Sequence, residues 1–370
     1  MRERALDHKC PSCGSPLTYK PKLEKWKCDH CNSEYDLETL QKYNNASSEE
    51  NNKKEDKIDK KEENNKKEEK QVEDDTVYIE YHCKDCGAKI IADENTAATF
   101  CVYCGNTAIL KSKLSGKFAP SKIIPFKKTK EEAVEAFKKL HEGRPLMPRF
   151  FNNEKNIEKI KGVYIPFWLF NIKATGKMNI KATKVKNWVV GNTAYTQTDT
   201  YSVDREGEFI YNRIPVDGST RFDDDIMNTI EPFDYNKLVD YNHAYLSGFL
   251  AEKYDVESET ASADAKKRAD STTRDTILNS VKGYTTKVVT SSNINNEIID
   301  TEYVLLPVWM VNVKYADKFY TFAMNAQTGE FVGNIPVDKK RAFMYGAAIF
   351  LAIAALVIAV SYFMHLLWGD

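Results

Sequence analysis

The sequence predicts an α+β chain: two four-cysteine zinc ribbons, a charged linker, an internally duplicated antiparallel α+β domain and one C-terminal transmembrane helix. Three observations predict it. Eight cysteines fall into two sets of identical spacing, short sequences recur in order between residues 118 and 338, and Ala342 to Gly369 contains no Asp, Glu, Lys or Arg.

Composition sets the outer bounds. With 370 residues, 42% of them hydrophobic, the chain can fill at least one substantial core. Charged residues make up 29% but nearly cancel to a formal -1, so no global field draws the molecule toward nucleic acid or anionic lipid. The residues from Met1 to Cys10 place no apolar stretch behind their basic side chains, so no secretory signal is expected and the N-terminus is expected in the cytoplasm. Thiols stay reduced there, which favours metal ligation over a disulfide framework.

The cysteines support that reading. Cys10-Pro-Ser-Cys13 is followed after fourteen residues by Cys28-Asp-His-Cys31, and Cys83-Lys-Asp-Cys86 after fourteen residues by Cys101-Val-Tyr-Cys104. Each CxxC turn brings two thiolates to one ion, and two turns on a hairpin complete a tetrahedral site. Gly14, Gly87 and Gly105 directly follow a ligand, where a positive φ turns the backbone amides back toward sulfur. Four thiolates leave no open position, so two structural Zn2+ ions are expected and no catalytic one. His8, His30 and His82 sit near ligands but are not needed as ligands.

Residues 1–43 form ribbon 1, 44–76 a disordered charged linker and 77–117 ribbon 2. The linker holds almost only polar and charged side chains, and Glu50-Asn-Asn-Lys-Lys-Glu55 recurs as Glu63-Asn-Asn-Lys-Lys-Glu68. Nucleic-acid binding is the alternative use of ribbon 1, resting on Tyr19, Lys20, Lys22, Lys25, Trp26 and Lys27. The eight basic and seven acidic side chains of residues 1–43 make that footprint weak.

Residues 118–338 read as a duplicated domain, with copies at about 118–220 and 225–338. Ile124-Pro-Phe126 returns as Glu231-Pro-Phe233, Pro166-Phe-Trp-Leu-Phe-Asn-Ile-Lys173 as Pro307-Val-Trp-Met-Val-Asn-Val-Lys314, and Ile214-Pro-Val-Asp217 as Ile335-Pro-Val-Asp338. In the first copy Thr129 and Glu132 form a capping box, Ala133, Phe137 and Leu140 share a helix face, and Gly143 ends the helix. In the second, Asp234 caps a helix whose buried stripe is Leu238, Tyr241, Tyr245 and Phe249. The Pro-x-Trp segments and Phe319 to Ala323 read as strands, and a helix from about Ser262 to Lys282 is an insertion in the second copy. Each half is then an antiparallel sheet with a helix on one face. Trp168 and Trp309 read as sheet packing, Asn171 and Asn312 as turn residues, and Asp223-Asp-Asp225 as solvated charge, so none is taken as a site.

Residues 339–370 form a basic flank and an anchor longer than the roughly 20 residues a bilayer core needs. Lys339, Lys340 and Arg341 place the preceding domain in the cytoplasm, giving a single-pass, tail-anchored protein with a short C-terminus outside the cell membrane. No phosphate loop, HExxH site, nucleophile elbow or dinucleotide fingerprint occurs, and His141-Glu142 lacks the second His of a zinc protease. No enzyme and no small-molecule substrate are expected.

With these cysteine quartets, Pro-x-Trp units and terminal helix, the chain resembles the bacterial TFIIB-type zinc-ribbon membrane proteins of Gram-positive species, over nearly its whole length. It departs from their CxxCG pattern where Asn32 follows Cys31. Some members are labelled primosomal protein N-prime or helicase, an activity for which this chain lacks the nucleotide-binding loop. The resemblance implies protein partners among flotillin-like or phage-shock-type membrane stress proteins, with the ribbons as a docking module near the inner leaflet.

Overall fold

A computed structural model of the chain describes residues 9–43, 79–83, 87–92, 101, 109–113, 120–142, 144–148, 151, 157, 159–221, 224–315, 318–333 and 335–368. The predicted linker 44–76 lies outside the described residues, as do Cys86, Cys104, Gly105, Gly143 and Asp223. Two sheets organise the rest. A small antiparallel sheet holds β1 (Leu17–Lys20), β2 (Lys25–Cys28) and β3 (Glu34–Tyr35). The large one begins with β4 (Ile79–Cys83), β5 (Lys89–Ala92), β6 (Ile109–Lys113) and β7 (Lys122–Ile123). After helix α1 (Lys130–Glu142) come β8 (Lys161–Val190), β9 (Thr193–Asp217), α2 (Asp224–Ile230), β10 (Val239–Asp240) and β11 (Leu250–Glu252). Helix α3 (Ser258–Ser280), β12 (Thr286–Tyr315), β13 (Lys318–Asn325), β14 (Phe331–Gly333) and α4 (Lys339–Trp368) complete the order.

The two Pro-x-Trp segments are neighbours in space. β8 and β12 pair antiparallel with Ile165 opposite Leu306, Tyr164 opposite Pro307 and Pro166 opposite Leu305. β11 joins β8 in parallel at Val163 and Tyr164, and β7 joins β12 in parallel at Val304 and Leu305. β12 is buried without a break from Tyr303 to Val313, the pattern of a strand covered on both faces. On one face Tyr164, Trp309, Val311 and Phe322 pack with Ala133 and Phe137 of α1 and with the small sheet. On the other, Ile165, Phe167, Val308 and Met310 pack with Ile226, Met227 and Ile230 of α2.

Beyond this body β8, β9 and β12 run on as a three-stranded ribbon. At 3.3 Å per residue, Val190 lies roughly 80 Å along the strand from Ile165. Gly191 sits first in the two-residue turn between Val190 and Thr193, and its φ of 61° meets the positive φ such hairpins require. Burial alternates here: Ile172, Ala174, Met178, Ile180 and Ala182 lie under α3, while Thr175, Lys177, Asn179 and Lys181 are exposed. α3 meets the ribbon through Ala261, Ala265, Ala269, Thr273 and Ile277, an i,i+4 stripe of mostly small side chains. Close approach follows, since a Cβ on Gly176 would lie 2.6 Å from Ile277 Cδ1.

Several expectations hold. Thr129 N–H donates to Glu132 Oε2 at 2.8 Å and Glu132 N–H to Thr129 Oγ1 at 3.3 Å, the reciprocal capping box. The predicted 262–282 helix runs from Ser258 to Ser280, and β13 contains Phe319 to Ala323.

Others are corrected. No helix follows Asp234: two single 3-10 turns, Tyr235–Lys237 and His243–Leu246, are each started by an Asp234 or Asn242 side chain accepting an amide two residues on. These local bonds compete with helix, and Tyr241 N–H instead donates to Ser121 O beside β7. Tyr245 and Phe249 are still buried. The central sheet is mixed, since the short strands β7 and β11 pair in parallel with the antiparallel centre. Asn171 and Asn312 sit within strands, where Asn171 Oδ1 accepts from Arg213 N–H and Asn312 Oδ1 from the Thr321 hydroxyl. Ile124-Pro-Phe126 follows β7, whereas Glu231-Pro-Phe233 follows α2. Ile214-Pro-Val-Asp217 lies in β9, whereas Ile335-Pro-Val-Asp338 leads into α4, so these two recurrences do not mark matching places.

The α3 contact can be tested by overpacking. Ala265→Leu is expected to destabilise the protein by about 1–3 kcal/mol, read by denaturant titration in detergent, with faster amide exchange in residues 172–182; unchanged stability would refute the close packing.

Candidate metal centre and its mounting

Two backbone turns build the first centre. Cys10 N–H donates to Ser15 O at 2.7 Å and Gly14 N–H to Cys10 O at 2.8 Å; Cys28 N–H donates to Ser33 O and Asn32 N–H to Cys28 O, both at 2.9 Å. Each turn needs a positive φ after its second cysteine, 72° at Gly14 and 60° at Asn32. Asn tolerates this region better than other side chains, which explains how the departure from CxxCG leaves the turn intact.

The turns bring Cys10, Cys13, Cys28 and Cys31 together with all four Sγ atoms within 4.8 Å of one another. Cys10 Sγ lies 3.4 Å from Cys31 Sγ, and Cys13 Sγ 3.5 Å from Cys28 Sγ. A tetrahedral ion with metal–sulfur bonds of about 2.3 Å needs sulfur–sulfur edges of about 3.8 Å. The quartet fits a metal ion. Cys10 and Cys28 are buried and Cys13 and Cys31 exposed. The Ser33 hydroxyl, 3.3 Å from Cys31 Sγ, and the Ser33 amide hold the Cys31 thiol down to about 6, whereas at Cys28 the amide contacts are outweighed by burial and the Cys13 and Cys31 thiols, which push the thiol up to about 11.

This unit is fastened to the large sheet. Trp26 is 1% exposed, and its Nε1–H donates to Ala244 O at 2.8 Å. Tyr19 N–H donates to Ser247 O, and the Tyr19, Trp26 and Tyr245 rings form a triangle with centroids 5.0 to 5.5 Å apart. Close contact continues at Gly248, whose φ is 88° and where a Cβ would lie 2.8 Å from Thr18 Cγ2. The aromatics singled out in the sequence are therefore spent on docking. Of the lysines beside them, Lys20 pairs with Asp29 at 3.0 Å and Lys27 with Glu34 at 3.7 Å.

The second cysteine set is only partly described. Cys83 and Cys101 are buried with Ala88 and Ile90 in one core cluster, while Cys86 and Cys104 lie outside the described residues. Cys83 repeats the turn of the first unit: its N–H donates to Ala88 O and Gly87 N–H donates to Cys83 O, both at 2.9 Å, with Gly87 at φ 70°. The surrounding strands extend the large sheet, because β5 pairs with β11. Arg221 clamps the junction, with Nη2–H donating to Gly87 O at 2.9 Å and Nε 3.3 Å from the carboxylate of the fully buried Glu252. Spacing alone gave no sign of Arg221 or Glu252, since their roles depend on a fold contact far along the chain.

Trp168 and Trp309 are structural. Trp168 Nε1–H donates to Val256 O at 2.8 Å and Trp309 Nε1–H to Lys128 O at 2.9 Å. α4 includes one stretch, Lys339–Met364, long and apolar enough to cross a membrane, with mean hydropathy 2.6 and no part of its most apolar window buried in the protein. Its first turn is tied to the body: Asp338 Oδ1 accepts from Lys340 and Arg341 N–H, Asp338 N–H donates to Leu146 O, and Arg341 Nη1–H donates to Met147 O at 3.2 Å.

If the metal centre holds the small sheet in shape, Cys13→Ser should abolish binding there and loosen the docked aromatics. Metal analysis should register the loss, and amide exchange in residues 17–28 should rise; retained protection without metal would show that the sheet holds itself.

No family model and no solved structure matches the chain. It is 34% identical over 334 residues to a Bacillus subtilis (strain 168) protein described as "Uncharacterized protein YdjG", covering 90% of this chain and 91% of that one. At this identity and coverage the chain belongs to the family of that Bacillus subtilis protein.

Proposed function

We propose that the chain is a membrane-anchored cytoplasmic adaptor, in which zinc-structured cysteine units and a long β-ribbon present a docking surface for protein partners. The observation that carries this reading is the closed four-thiolate centre fastened through Trp26 to a body that is itself tied to an apolar helix at Arg341. Zn2+ is the ion we assign, because four cysteine thiolates in tetrahedral reach are its structural ligand set. A second Zn2+ is assigned to Cys83, Cys86, Cys101 and Cys104, supported by the turn that Cys83 and Gly87 share with the first unit. Both ions would be structural, and no catalytic residue is assigned.

The docking surface is the ribbon. Its exposed face interleaves Lys173, Lys177 and Lys181 with Glu206 and Glu208, and its tip carries the exposed stacked pair Trp188 and Tyr195 with centroids 5.6 Å apart. Partners of the flotillin-like or phage-shock type fit a protein held at the membrane. Lys339 to Arg341 favour a cytoplasmic body with α4 spanning outward. Nucleic-acid binding by the first unit finds less support, because Trp26 and Tyr19 are buried against Tyr245.

We also read the sheet as a duplication. The units β7-α1-β8-β9 and β11-α3-β12-β13 have the same order, and each lends its first strand to the other unit's long strand. In this reading α3 is the counterpart of α1 and not an insertion.

Crosslinking in native membranes followed by purification in detergent should recover a defined protein partner with the full chain. Trp188→Ser with Tyr195→Ser should lose it while metal content and thermal stability stay unchanged. Recovery of the same partner from that variant and from Cys13→Ser alike would sink the adaptor reading.

A further inference from the structure

We propose that the outer edge of β9 pairs with the same edge of a second copy of this chain, antiparallel and centred on Ser202. β9 runs beside β8 without a register shift from Thr193, opposite Val190, to Tyr211, opposite Ile172, and among the described residues no strand joins its other edge. The two-residue turn fixes which backbone groups lie on that edge. Val190 and Thr193 close the hairpin and exchange hydrogen bonds, so alternate residues from Ala194 to Ile210 turn their N–H and C=O groups away from β8. A straight edge of this length, roughly 60 Å, is a template for another strand.

The ribbon's other free edge is guarded where this one is not. β12 carries register shifts at Val289/Ser291 and Ile298/Asp300, and such bulges interrupt pairing along an edge. Between Thr193 and Tyr211, β9 has no bulge, no Pro and no Lys.

Charge complementarity names the occupant. The straight stretch from Thr193 to Tyr211 has Ser202 at its midpoint, and a two-fold axis there sets Asp199 opposite Arg205 of the second copy, twice by symmetry. Within one chain Asp199 accepts from the neutral Gln197 amide at 2.9 Å and Arg205 donates to Asp204 O at 3.0 Å, so neither has an ion-pair partner among the described residues. In the same register Asp204, Glu206 and Glu208 face Thr200, Thr198 and Thr196 of the second copy, and Phe209 faces Tyr195, a favourable aromatic cross-strand pair. Other registers lose this match. An axis at Tyr201 or Val203 opposes no unlike charges, one at Asp204 sets that carboxylate against itself, and one at Arg205 sets Arg205 against itself and Asp204 against Glu206. The core beneath α3 ends at Ala182 and Val203, so the two helices lie over opposite halves of the joined sheet and do not collide. The inference goes beyond the adaptor reading, because the face that carries Lys173 and Lys177 stays open to other proteins.

The test is the mass of the purified full-length zinc-loaded chain in density-matched detergent, read by sedimentation equilibrium over a concentration series. A dimer is expected. Asp199→Arg should weaken dimerisation by about tenfold, and Asp199→Arg combined with Arg205→Asp should restore it. Metal content and thermal stability verify that each variant is folded. In native membranes under mild oxidation, Ser202→Cys should form an interchain disulfide above the background of the unsubstituted chain, because the central pair lies about 5.5 Å apart between Cα atoms; Thr198→Cys should not. A monomer throughout, a dimer indifferent to Asp199→Arg, or no rescue by the charge exchange would overturn the pairing. None of these results depends on recovering another protein, so their failure leaves the adaptor reading standing.

Discussion

The antiparallel pairing of β8 with β12 is the constraint on which the rest of the molecule depends. It sets Ile165 opposite Leu306 and thereby fixes where every other strand can join. Parallel β11 and β7 flank that centre on its two sides, and β9 and β13 take the remaining length of each long strand. The interaction is long-range, joining residues more than a hundred positions apart, so its loop-closure cost is met only when both faces are covered. That coverage comes from α1 and the small sheet on one side and α2 with the second cysteine unit on the other.

Local chemistry was readable before the fold was known. CxxC spacing located the first cysteine quartet, which could hold a metal ion, the Thr129–Glu132 box located the start of a helix, and the long helix was found within a few residues of its ends. These signals are written into short windows, and the backbone answers them locally. What could not be read depends on pairing at a distance. The Pro-x-Trp segments read as strands of a sheet with a helix on one face, but β12 is buried on both from Tyr303 to Val313. The stripe Leu238, Tyr241, Tyr245 and Phe249 has helical spacing, yet the side chains of Asp234 and Asn242 and the bond from Tyr241 to Ser121 hold the segment in turns. Burial of Tyr245 survives because tertiary contacts, and not helix periodicity, select it.

The cysteine units illustrate the same division. Sequence spacing groups the cysteines, but it cannot say that Trp26 will donate to Ala244 or that Arg221 will grip the Gly87 carbonyl. These contacts mount the first cysteine unit and the strands around Cys83 on one body. Zinc-ribbon sheets bury too little apolar surface to persist alone, and metal binding ordinarily supplies their folding energy. Here Trp26 and Tyr19 add a second source, because removing a buried Trp typically costs 3–5 kcal/mol.

Two stabilising sources acting on one small sheet are necessarily coupled. A metal ion that orders the β1–β2 hairpin also sets the positions of Tyr19 and Trp26, and the docked aromatics in turn restrict the hairpin that carries Cys28. By linkage, each must strengthen the other by the same free energy. The consequence reaches the apolar helix α4. Phe137 and Phe151 pack on Phe322 in the same core that receives the small sheet, and Met147 of that core accepts from Arg341 at the start of the apolar helix. Loss of an ion from the quartet would therefore weaken the core to which the apolar helix is tied, although the two lie at separate ends of that core.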